Sequence, residues 1–303
     1  MTPFFVTSFA AALATLWASA QATPVPFAPL IENYSVAVFG SNASFVAIDG
    51  DWHGSTVLWQ EPANGNPGQF GTGSAIGGYS WGTGIWGRAD WAAINSADGG
   101  GIARLGESSS VVSQINHGDT CYNSKYSFTW GTSQGVPLTI SVGIPVSGCP
   151  GARPGEVAQD IAGNLNNWTS RYTGFIRITE AGLYNFSVLY DDGFFLDLYG
   201  ANGQRQSIAQ DYLNPRDRLG FADDFLLTPG LYQYELGAWD RLEAGVVDLR
   251  WTRNGATDWQ IIPTEFLVAS IPVPGSLALG GLAALIAGAG AWWRKRRLTS
   301  HLG

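Results

Sequence analysis

The sequence predicts an all-β protein built from antiparallel strands. Apolar and polar residues alternate in Phe175–Thr179 and again in Leu183–Tyr190, and a glycine-containing turn, Glu180–Gly182, separates the two runs. A period of two is the pattern of strands, and glycine at the ends of such runs marks turns. The chain also has 40 glycines, 13 tryptophans and a single methionine. Helix signals are weak throughout, so we expect strands joined by tight turns.

Residues 1–22 have the pattern of a secretory signal peptide. The run Phe4–Ala20 is apolar or small, and Ala20-Gln21-Ala22 supplies a small-x-small cleavage site. No lysine or arginine precedes the apolar run, and a buried N-terminal helix is the alternative. We therefore expect an exported chain that begins at about Thr23.

Residues 23–150 are predicted to form a β region rich in glycine and aromatic residues. The strands expected there are Tyr34–Phe39, Phe45–Ile48, Tyr126–Trp130 and Leu138–Val142, and a short helix is expected near Asp90–Ser96. Glycine runs such as Asp98–Gly101 indicate loops. The segment 145–167 is the best candidate for a domain boundary, and the alternative is that residues 30–265 form a single unit.

Three tryptophans lie close together in this region, at Trp81, Trp86 and Trp91. Exposed aromatic faces often mark recognition sites, which would suit stacking on sugar rings. Sandwich folds also bury tryptophan, however, and we favour a place in the core for these three.

Cys121 and Cys149 are the only cysteines. In an oxidising compartment two cysteines most simply form one disulfide. It would close a loop of about 27 residues and stabilise the protein by about 3 kcal/mol.

The second strand of the central pattern runs into Asp191-Asp192-Gly193, and Phe194–Tyr199 leaves it as a third strand. Successive side chains on a strand point to opposite faces, so both aspartates reach one cation only if the backbone turns there. The turn would come through Gly193 or through an unusual peptide bond between the aspartates. Asp-Asp-Gly is also a common polar turn without a ligand. These residues alone leave both interpretations open.

The segment Gly174–Tyr199 resembles the core of the PA14 domain, whose signature joins a Gly-aromatic pair, two strands and Asp-Asp-Gly. Pro229–Tyr232 resembles the second Gly-x-Tyr strand of that family, and Asp248–Trp251, followed by Asn254-Gly, resembles its closing strand. The resemblance covers about residues 168–265. It implies an antiparallel β-sandwich with a PA14-like core at 151–268 and an elaborated N-terminal part.

The resemblance also implies a calcium site. In the sugar-binding adhesins of the PA14 family, the paired aspartates hold Ca²⁺ through a cis peptide, and the ion ligates sugar hydroxyls. By position, Asp191 and Asp192 would be carboxylate ligands here. Asp240 lies where those adhesins usually carry Asn as a further ligand, and Trp239 beside it is the aromatic residue that we place near a sugar.

The C-terminal segment, residues 271–303, is similar to the PEP-CTERM sorting signal of Gram-negative bacteria. It has a proline pair, an apolar run at 277–293 that is just long enough for a transmembrane helix, and a basic tail from Arg294. The glutamate that names the motif is replaced by Val273. The similarity implies membrane insertion and processing by an exosortase-type enzyme; a plain membrane anchor is the alternative, and the basic tail argues against a GPI signal.

Charge and histidine content exclude several functions. Between Glu32 and Glu265 the chain has 24 acidic residues against 12 lysines and arginines, which argues against a nucleic-acid partner and is compatible with a divalent cation. None of the three histidines, His53, His117 and His301, lies in a recognisable catalytic motif.

The sequence thus predicts a non-catalytic, exported protein of the cell surface or exopolysaccharide layer that binds polysaccharide or surface glycan through Ca²⁺. A structural matrix module without a ligand site is the alternative, and an exported glycosidase, whose paired carboxylates have no fixed sequence spacing, is a more distant one.

Overall fold

A computed structural model describes residues 24–48, 58–60, 69–71, 85, 87–97, 104–138, 167–210, 217–240 and 244–272. The predicted signal peptide, the apolar run at 277–293 and the basic tail lie outside these ranges. In the part of the chain that is described, no helix has the length and apolar character needed to cross a membrane.

The described residues form strands and a few short helices, as an all-β fold requires. The strands are β1 (Val25–Phe27), β2 (Val38–Phe39), β3 (Ser41–Ile48), β4 (Leu58–Gln60), β5 (Gln69–Gly71), β6 (Arg104–Val112), β7 (Asn116–Gly118), β8 (Gln134–Gly135), β9 (Trp168–Ile178), β10 (Gly182–Asp191), β11 (Gly193–Tyr199), β12 (Arg205–Gln210), β13 (Arg218–Gly220), β14 (Phe225–Leu227), β15 (Gly230–Asp240), β16 (Val246–Arg253), β17 (Gln260–Ile261) and β18 (Leu267–Ser270). The α-helices are α1 (Arg88–Ile94), α2 (Thr120–Lys125) and α3 (Ser127–Trp130).

Two large sheets pack face to face. The first sheet has the strand order β1-β14-β10-β16-β7-β8, with β13 beside β10 and β17 beside β16. The second has the order β12-β11-β15-β9-β18-β2, and β3 joins β9 on one side and β6 on the other. Strands β4 and β5 form a separate two-stranded antiparallel sheet. The pairings are antiparallel except for β1 with β14 and β7 with β8.

The central pattern predicts the strands β9, β10 and β11 correctly but not how they pair. Strand β10 pairs with β13, β14 and β16 in the first sheet, whereas β9 and β11 both pair with β15 in the second. The chain therefore crosses from one sheet to the other at each turn instead of forming hairpins. A period of two specifies that a segment is a strand, but it does not specify the neighbour of that strand.

The core lies between the two sheets and is largely aromatic. The face of β10 that the sequence predicted is buried there, with Tyr184, Phe186, Val188 and Tyr190 in one cluster. Alternate residues of strands in the facing sheet pack against them, including Tyr232, Tyr234 and Leu236 of β15. Inward-facing residues on β15 thus have even numbers, and the same parity assigns Asp240 to the core side of the strand.

Strands from residues 23–150 complete both sheets. Strand β3 pairs with β9 from Asn42 opposite Thr173 to Ala47 opposite Trp168, and β7 pairs with β16 at Val246 to Asp248. The N-terminal β region contributes in this way to the same sandwich as the PA14-like segment.

Some local predictions for the N-terminal region are wrong. Tyr126–Trp130 was expected to be a strand, but Ser127–Trp130 is helical. In a strand, Tyr126, Phe128 and Trp130 would share one face; in the helix, Tyr126 and Trp130 pack against the cluster around Cys121, and Phe128 is 86% exposed. A spacing of two over five residues fits a helical turn with one solvent-facing aromatic residue equally well.

Two other segments differ from the sequence-based expectation in extent. Only Val38–Phe39 of the strand expected at Tyr34–Phe39 is extended and paired, and most of Leu138–Val142 lies outside the described residues. The prediction of a strand at Phe45–Ile48 is confirmed within β3, and the helix predicted near Asp90–Ser96 is α1.

Candidate functional site

Four chain segments meet at one end of the sandwich. The register places Asp191 opposite Val246, Gly193 opposite Trp239, and Asp240 opposite Trp168. Val246 also lies opposite Gly118, the last residue of β7. Because these pairs all lie at strand ends, the residues just beyond those ends are gathered at the same edge of the fold.

Four carboxylates are buried at this edge. Asp119, Asp191, Asp192 and Asp240 are 3%, 1%, 3% and 0% exposed. Charged side chains are costly to bury unless hydrogen bonds or opposite charges compensate them. The cost of burying four acidic groups together therefore has to be offset by hydrogen bonds from the surrounding residues or by a bound cation.

The paired aspartates occupy the crossing between the two sheets. Asp191 is the last residue of β10 in the first sheet, and Gly193 is the first residue of β11 in the second. The peptide bond between Asp191 and Asp192 is cis, which is one of the two backbone arrangements that the sequence left open. The N–H of Asp192 donates to the carbonyl oxygen of Trp239 at 2.8 Å, so Asp192 is tied to the strand that carries Asp240.

Asp240 ends β15 and is enclosed by its neighbours. A Cβ atom at Gly245 would lie 2.5 Å from Asp240 Cβ, 2.6 Å from its Cγ and 2.8 Å from the indole of Trp168. Glycine is therefore required at position 245 for the backbone to approach this carboxylate so closely. Residues 241–243, between Asp240 and this contact, lie outside the described ranges.

Asp119 is a member of this group that the sequence did not single out. It is the N-cap of α2, with its Oδ1 accepting from the N–H of Tyr122 at 2.7 Å. Its Oδ2 accepts from the N–H of Gly245, also at 2.7 Å, and its own N–H donates to the carbonyl oxygen of Gly245 at 3.0 Å. Aspartate is a favoured N-cap residue, but only the fold brings residue 245 to it.

The electrostatics of Asp119 reflect its surroundings. Burial raises the pKa of its carboxyl group to about 7, and the charge of Asp192 adds to the increase. The N–H groups of Gly245 and Tyr122 act in the opposite direction because they stabilise the carboxylate. Asp119 and Asp192 are thus close enough for each to sense the charge of the other.

Trp239, which we expected near a sugar, is buried at 1% exposure. Its indole packs directly over Gly193, where a Cβ would overlap the ring, and it belongs to a cluster with Trp91 and Phe195. Trp91 is likewise buried and donates its indole N–H to the carbonyl oxygen of Ser170, as expected for a core residue. Trp81 and Trp86 lie outside the described residues.

A buried amide lies beside the acidic group. Asn167 immediately precedes Trp168, the register partner of Asp240, and is fully buried with a φ angle of 56°. Its Oδ1 and Nδ2 have no hydrogen-bond partner among the described residues. Buried amides normally have partners, so such an atom is a candidate to face an ion or a ligand.

The donor set suits a hard cation. Calcium is held by six to eight oxygen atoms from carboxylates, amide carbonyls, backbone carbonyls and water. The side chains of Asp191, Asp192, Asp240 and Asn167 are all oxygen donors of this kind. In the described ranges, however, no three His, Cys, Asp or Glu side chains are grouped closely enough to hold a metal ion. The chemistry fits calcium, and the described side chains alone do not form its coordination shell.

The histidine that the structure describes belongs to the core. His117 is 2% exposed, its Nδ1 shares a hydrogen bond of 3.0 Å with the hydroxyl of Tyr172, and its ring contacts Phe45. Burial lowers the pKa of its imidazole to about 4. His53 and His301 lie outside the described residues. Cys121 is fully buried; Cys149 also lies outside, so the disulfide between them stays a prediction.

Solved structures similar to this chain include PA14 domains and an adhesin domain in complex with a sugar. The PA14 sugar-binding domain from an RTX adhesin is 16% identical with a TM-score of 0.43, and the match covers 77% of this chain and 100% of that domain. The A domain of epithelial adhesin 6 from Candida glabrata, solved in complex with Galβ1-3GlcNAc, is 12% identical with a TM-score of 0.46, over 83% of this chain and 96% of that one.

A third similar structure is the PA14 domain of the MpAFP antifreeze protein. It is 11% identical with a TM-score of 0.38, over 80% of this chain and 97% of that domain. No family model and no curated protein matches the chain. PA14 domains are thus among the structures similar to this chain, at low sequence identity.

Proposed function

We propose that this protein is an exported, non-catalytic carbohydrate-binding protein whose site lies at the end of the sandwich that carries Asp191, Asp192 and Asp240. The observation that carries the proposal is the convergence of buried carboxylates from separate strands at one edge. A hard divalent cation is the partner that oxygen donors of this kind select.

In this proposal Asp191, Asp192 and Asp240 hold Ca²⁺, and Asn167 supplies a further oxygen. The ion would keep open coordination positions, which adjacent hydroxyl groups of a sugar can fill. The protein's own residues fix the ligands in place: the carbonyl of Trp239 holds the Asp192 backbone, and Gly245 packs against Asp240. The buried indole of Trp239 packs against Gly193. We propose that Trp239 also contacts the sugar.

The cellular setting is also proposed. The signal-peptide pattern of residues 1–22 and the PEP-CTERM-like pattern of residues 271–303 support export and a membrane-associated or exopolysaccharide-associated location, with processing by an exosortase-type enzyme. Glycans of the cell surface or matrix are then the partners within reach of the site.

The test is calcium binding with a matched control. We expect Ca²⁺ to bind to the metal-stripped protein in isothermal titration and to raise its thermal midpoint, and both effects to disappear in the Asp191→Ala/Asp192→Ala variant. The chain contains a second Asp-Asp pair, Asp223-Asp224, in front of β14. Because β14 pairs with β10 at Gly182–Tyr184, far from Asp191, the Asp223→Ala/Asp224→Ala variant should bind calcium like the natural protein.

A binding isotherm that is unchanged by the Asp191/Asp192 substitutions would refute the site. The absence of any heat or thermal shift at millimolar Ca²⁺ would instead favour the structural module, with Asp-Asp-Gly as a turn. If calcium binds as expected, a glycan array with and without a chelator identifies the sugar.

A further inference from the structure

Both carboxylate oxygens of Asp119 accept backbone hydrogen bonds. One bond, from the N–H of Tyr122, begins α2, and the other, from the N–H of Gly245, reaches a residue 126 positions away. The N–H of Asp119 returns a third bond to the carbonyl oxygen of Gly245. Reciprocal bonds of this kind fix the position of one backbone segment against another, and here the carboxylate is 3% exposed.

Gly245 is the residue through which this attachment acts on Asp240. Its Cα approaches Asp240 so closely that an added Cβ would lie 2.5 Å from the Cβ of that aspartate. Gly245 also precedes Val246, the register partner of Asp191. A displacement of Gly245 would therefore change the space available to Asp240 and the start of the strand that pairs with Asp191.

Helix α2 holds Asp119 in place from the other side. Cys121 and Tyr122 of this helix form a buried cluster with Leu189, Ala244 and Val246, and the hydroxyl of Tyr122 donates to the carbonyl oxygen of Gly131 at 2.9 Å. The helix is thus packed against the same strand ends that carry the candidate ligands. Asp119 joins this packed unit to the segment that follows Asp240.

We infer that Asp119 is a positioning residue of the calcium site: it holds Gly245, and through Gly245 the carboxylate of Asp240, in the arrangement that binds the ion. The inference rests on the proposed function for its ligand but not for its contacts. Residues that orient metal ligands without touching the metal typically contribute about 10- to 100-fold to metal affinity.

The substitution Asp119→Ser separates positioning from helix capping. Serine is a good N-cap, so its hydroxyl oxygen can still accept from Tyr122 in place of Oδ1. It has no second oxygen in the position of Oδ2, which accepts from Gly245. We expect the Kd for Ca²⁺, measured by isothermal titration on the full chain, to rise about 10- to 100-fold. Asp197→Asn is the matched control. Asp197 is also fully buried, and it accepts from Arg88, Arg205 and Ser207. It lies within β11, and none of these partners belongs to the acidic group.

A second measurement does not depend on calcium. In the metal-free protein, hydrogen exchange of the Gly245 amide should be slow, and it should become faster in Asp119→Ser but not in Asp197→Asn. A merely structural role would lower the thermal midpoint of both variants without a selective effect on calcium affinity. Asp119→Asn, which keeps the size of the side chain and one carbonyl oxygen, should give an intermediate affinity.

The outcomes are distinct. If Asp119→Ser binds calcium within twofold of the natural protein while Asp191→Ala/Asp192→Ala does not bind, the inference is wrong and the proposed function stands. If Asp119→Ser abolishes binding as completely as the double variant, Asp119 is a ligand and its assignment as a positioning residue is overturned. If the natural protein binds no calcium, the proposed function fails. If the Gly245 amide exchanges equally fast in the natural protein and in Asp119→Ser, the contact between Asp119 and Gly245 is wrong as well.

Discussion

At the scale of single residues, burial decides how the polar side chains of this protein behave. His117 is an example: it is enclosed by Phe45 and Tyr172, and burial lowers the pKa of its imidazole to about 4. The unfolded chain has the usual value of 6.5. The folded protein therefore holds the neutral ring in a range of pH where the unfolded chain would already bind a proton.

A pH dependence of stability follows, with its sign set by the lowered pKa. Above pH 6.5 the imidazole is neutral in both states, and its contribution is fully present; it is lost as the pH falls through about 4. The difference amounts to about 3 kcal/mol. We expect His117→Gln to remove this part of the acid dependence, measured as the difference between urea unfolding free energies of the two proteins from pH 7 to pH 4.

Asp119, whose pKa is raised by burial, contributes to the pH dependence of stability with the opposite sign. This contribution cancels when the natural protein is compared with His117→Gln, because both contain Asp119. Two parallel stability curves would show that His117 is not the group responsible for the pH dependence in this range.

At the scale of elements, helices α1 and α3 each contain a large aromatic side chain, which is buried in α1 and exposed in α3. Helix α1 covers the outer face of the second sheet, where Trp91 contacts the ring of Phe195 edge-on at 4.7 Å between centroids. Arg88 of the same helix binds Asp197 at 2.8 Å and lies over the ring of Phe195. Helix α3, in contrast, presents Phe128 to solvent.

Truncation of these two aromatic residues should therefore have very different effects. We expect Trp91→Ala to reduce the free energy of unfolding by about 3–5 kcal/mol, because it removes a buried ring and its hydrogen bond to Ser170. Phe128→Ala should change it by less than about 0.5 kcal/mol, as for other exposed positions. Urea unfolding checks both, and a small effect of Trp91→Ala would mean that α1 is not a structural part of the sheet.

At the scale of the whole molecule, the candidate site depends on contacts between distant parts of the chain. Gly118 and Asp119 come from the N-terminal β region, and Asp191, Asp192 and Asp240 come from the PA14-like segment. The pairing of β7 with β16 brings them together. The buried Cys121 lies two residues after Asp119, so a disulfide to Cys149 would restrain the N-terminal contribution to the site.

Reduction should therefore affect the whole fold. We expect the non-reduced protein to yield a peptide that contains both Cys121 and Cys149, and reduction to lower the free energy of unfolding by about 3 kcal/mol. Mass spectrometry of a digest and urea unfolding with and without reductant provide the measurements. Labelling of both thiols in the unfolded, unreduced protein would contradict the disulfide.

The sequence by itself determined the strands of the central segment and the residues that face the core. Alternation in Leu183–Tyr190 assigned Tyr184, Phe186 and Val188 to one buried face, because neighbouring side chains on a strand point in opposite directions. It also indicated that the backbone at Asp191-Asp192 must depart from a regular strand if both side chains are to act together. These features depend on residues that are adjacent in the chain.

Only the tertiary structure decided which strands pair and which residues join the acidic group. The pairing of β10 with β16 and of β11 with β15, the contact of Gly245 with Asp240 and the bonds of Asp119 to Gly245 all join residues whose proximity no local pattern records. The helix at Ser127–Trp130 has the same origin, since a spacing of two over five residues suits either state and packing against Cys121 selects one. Local periodicity fixes the elements, whereas the burial of one face against another, over long separations in sequence, fixes the site.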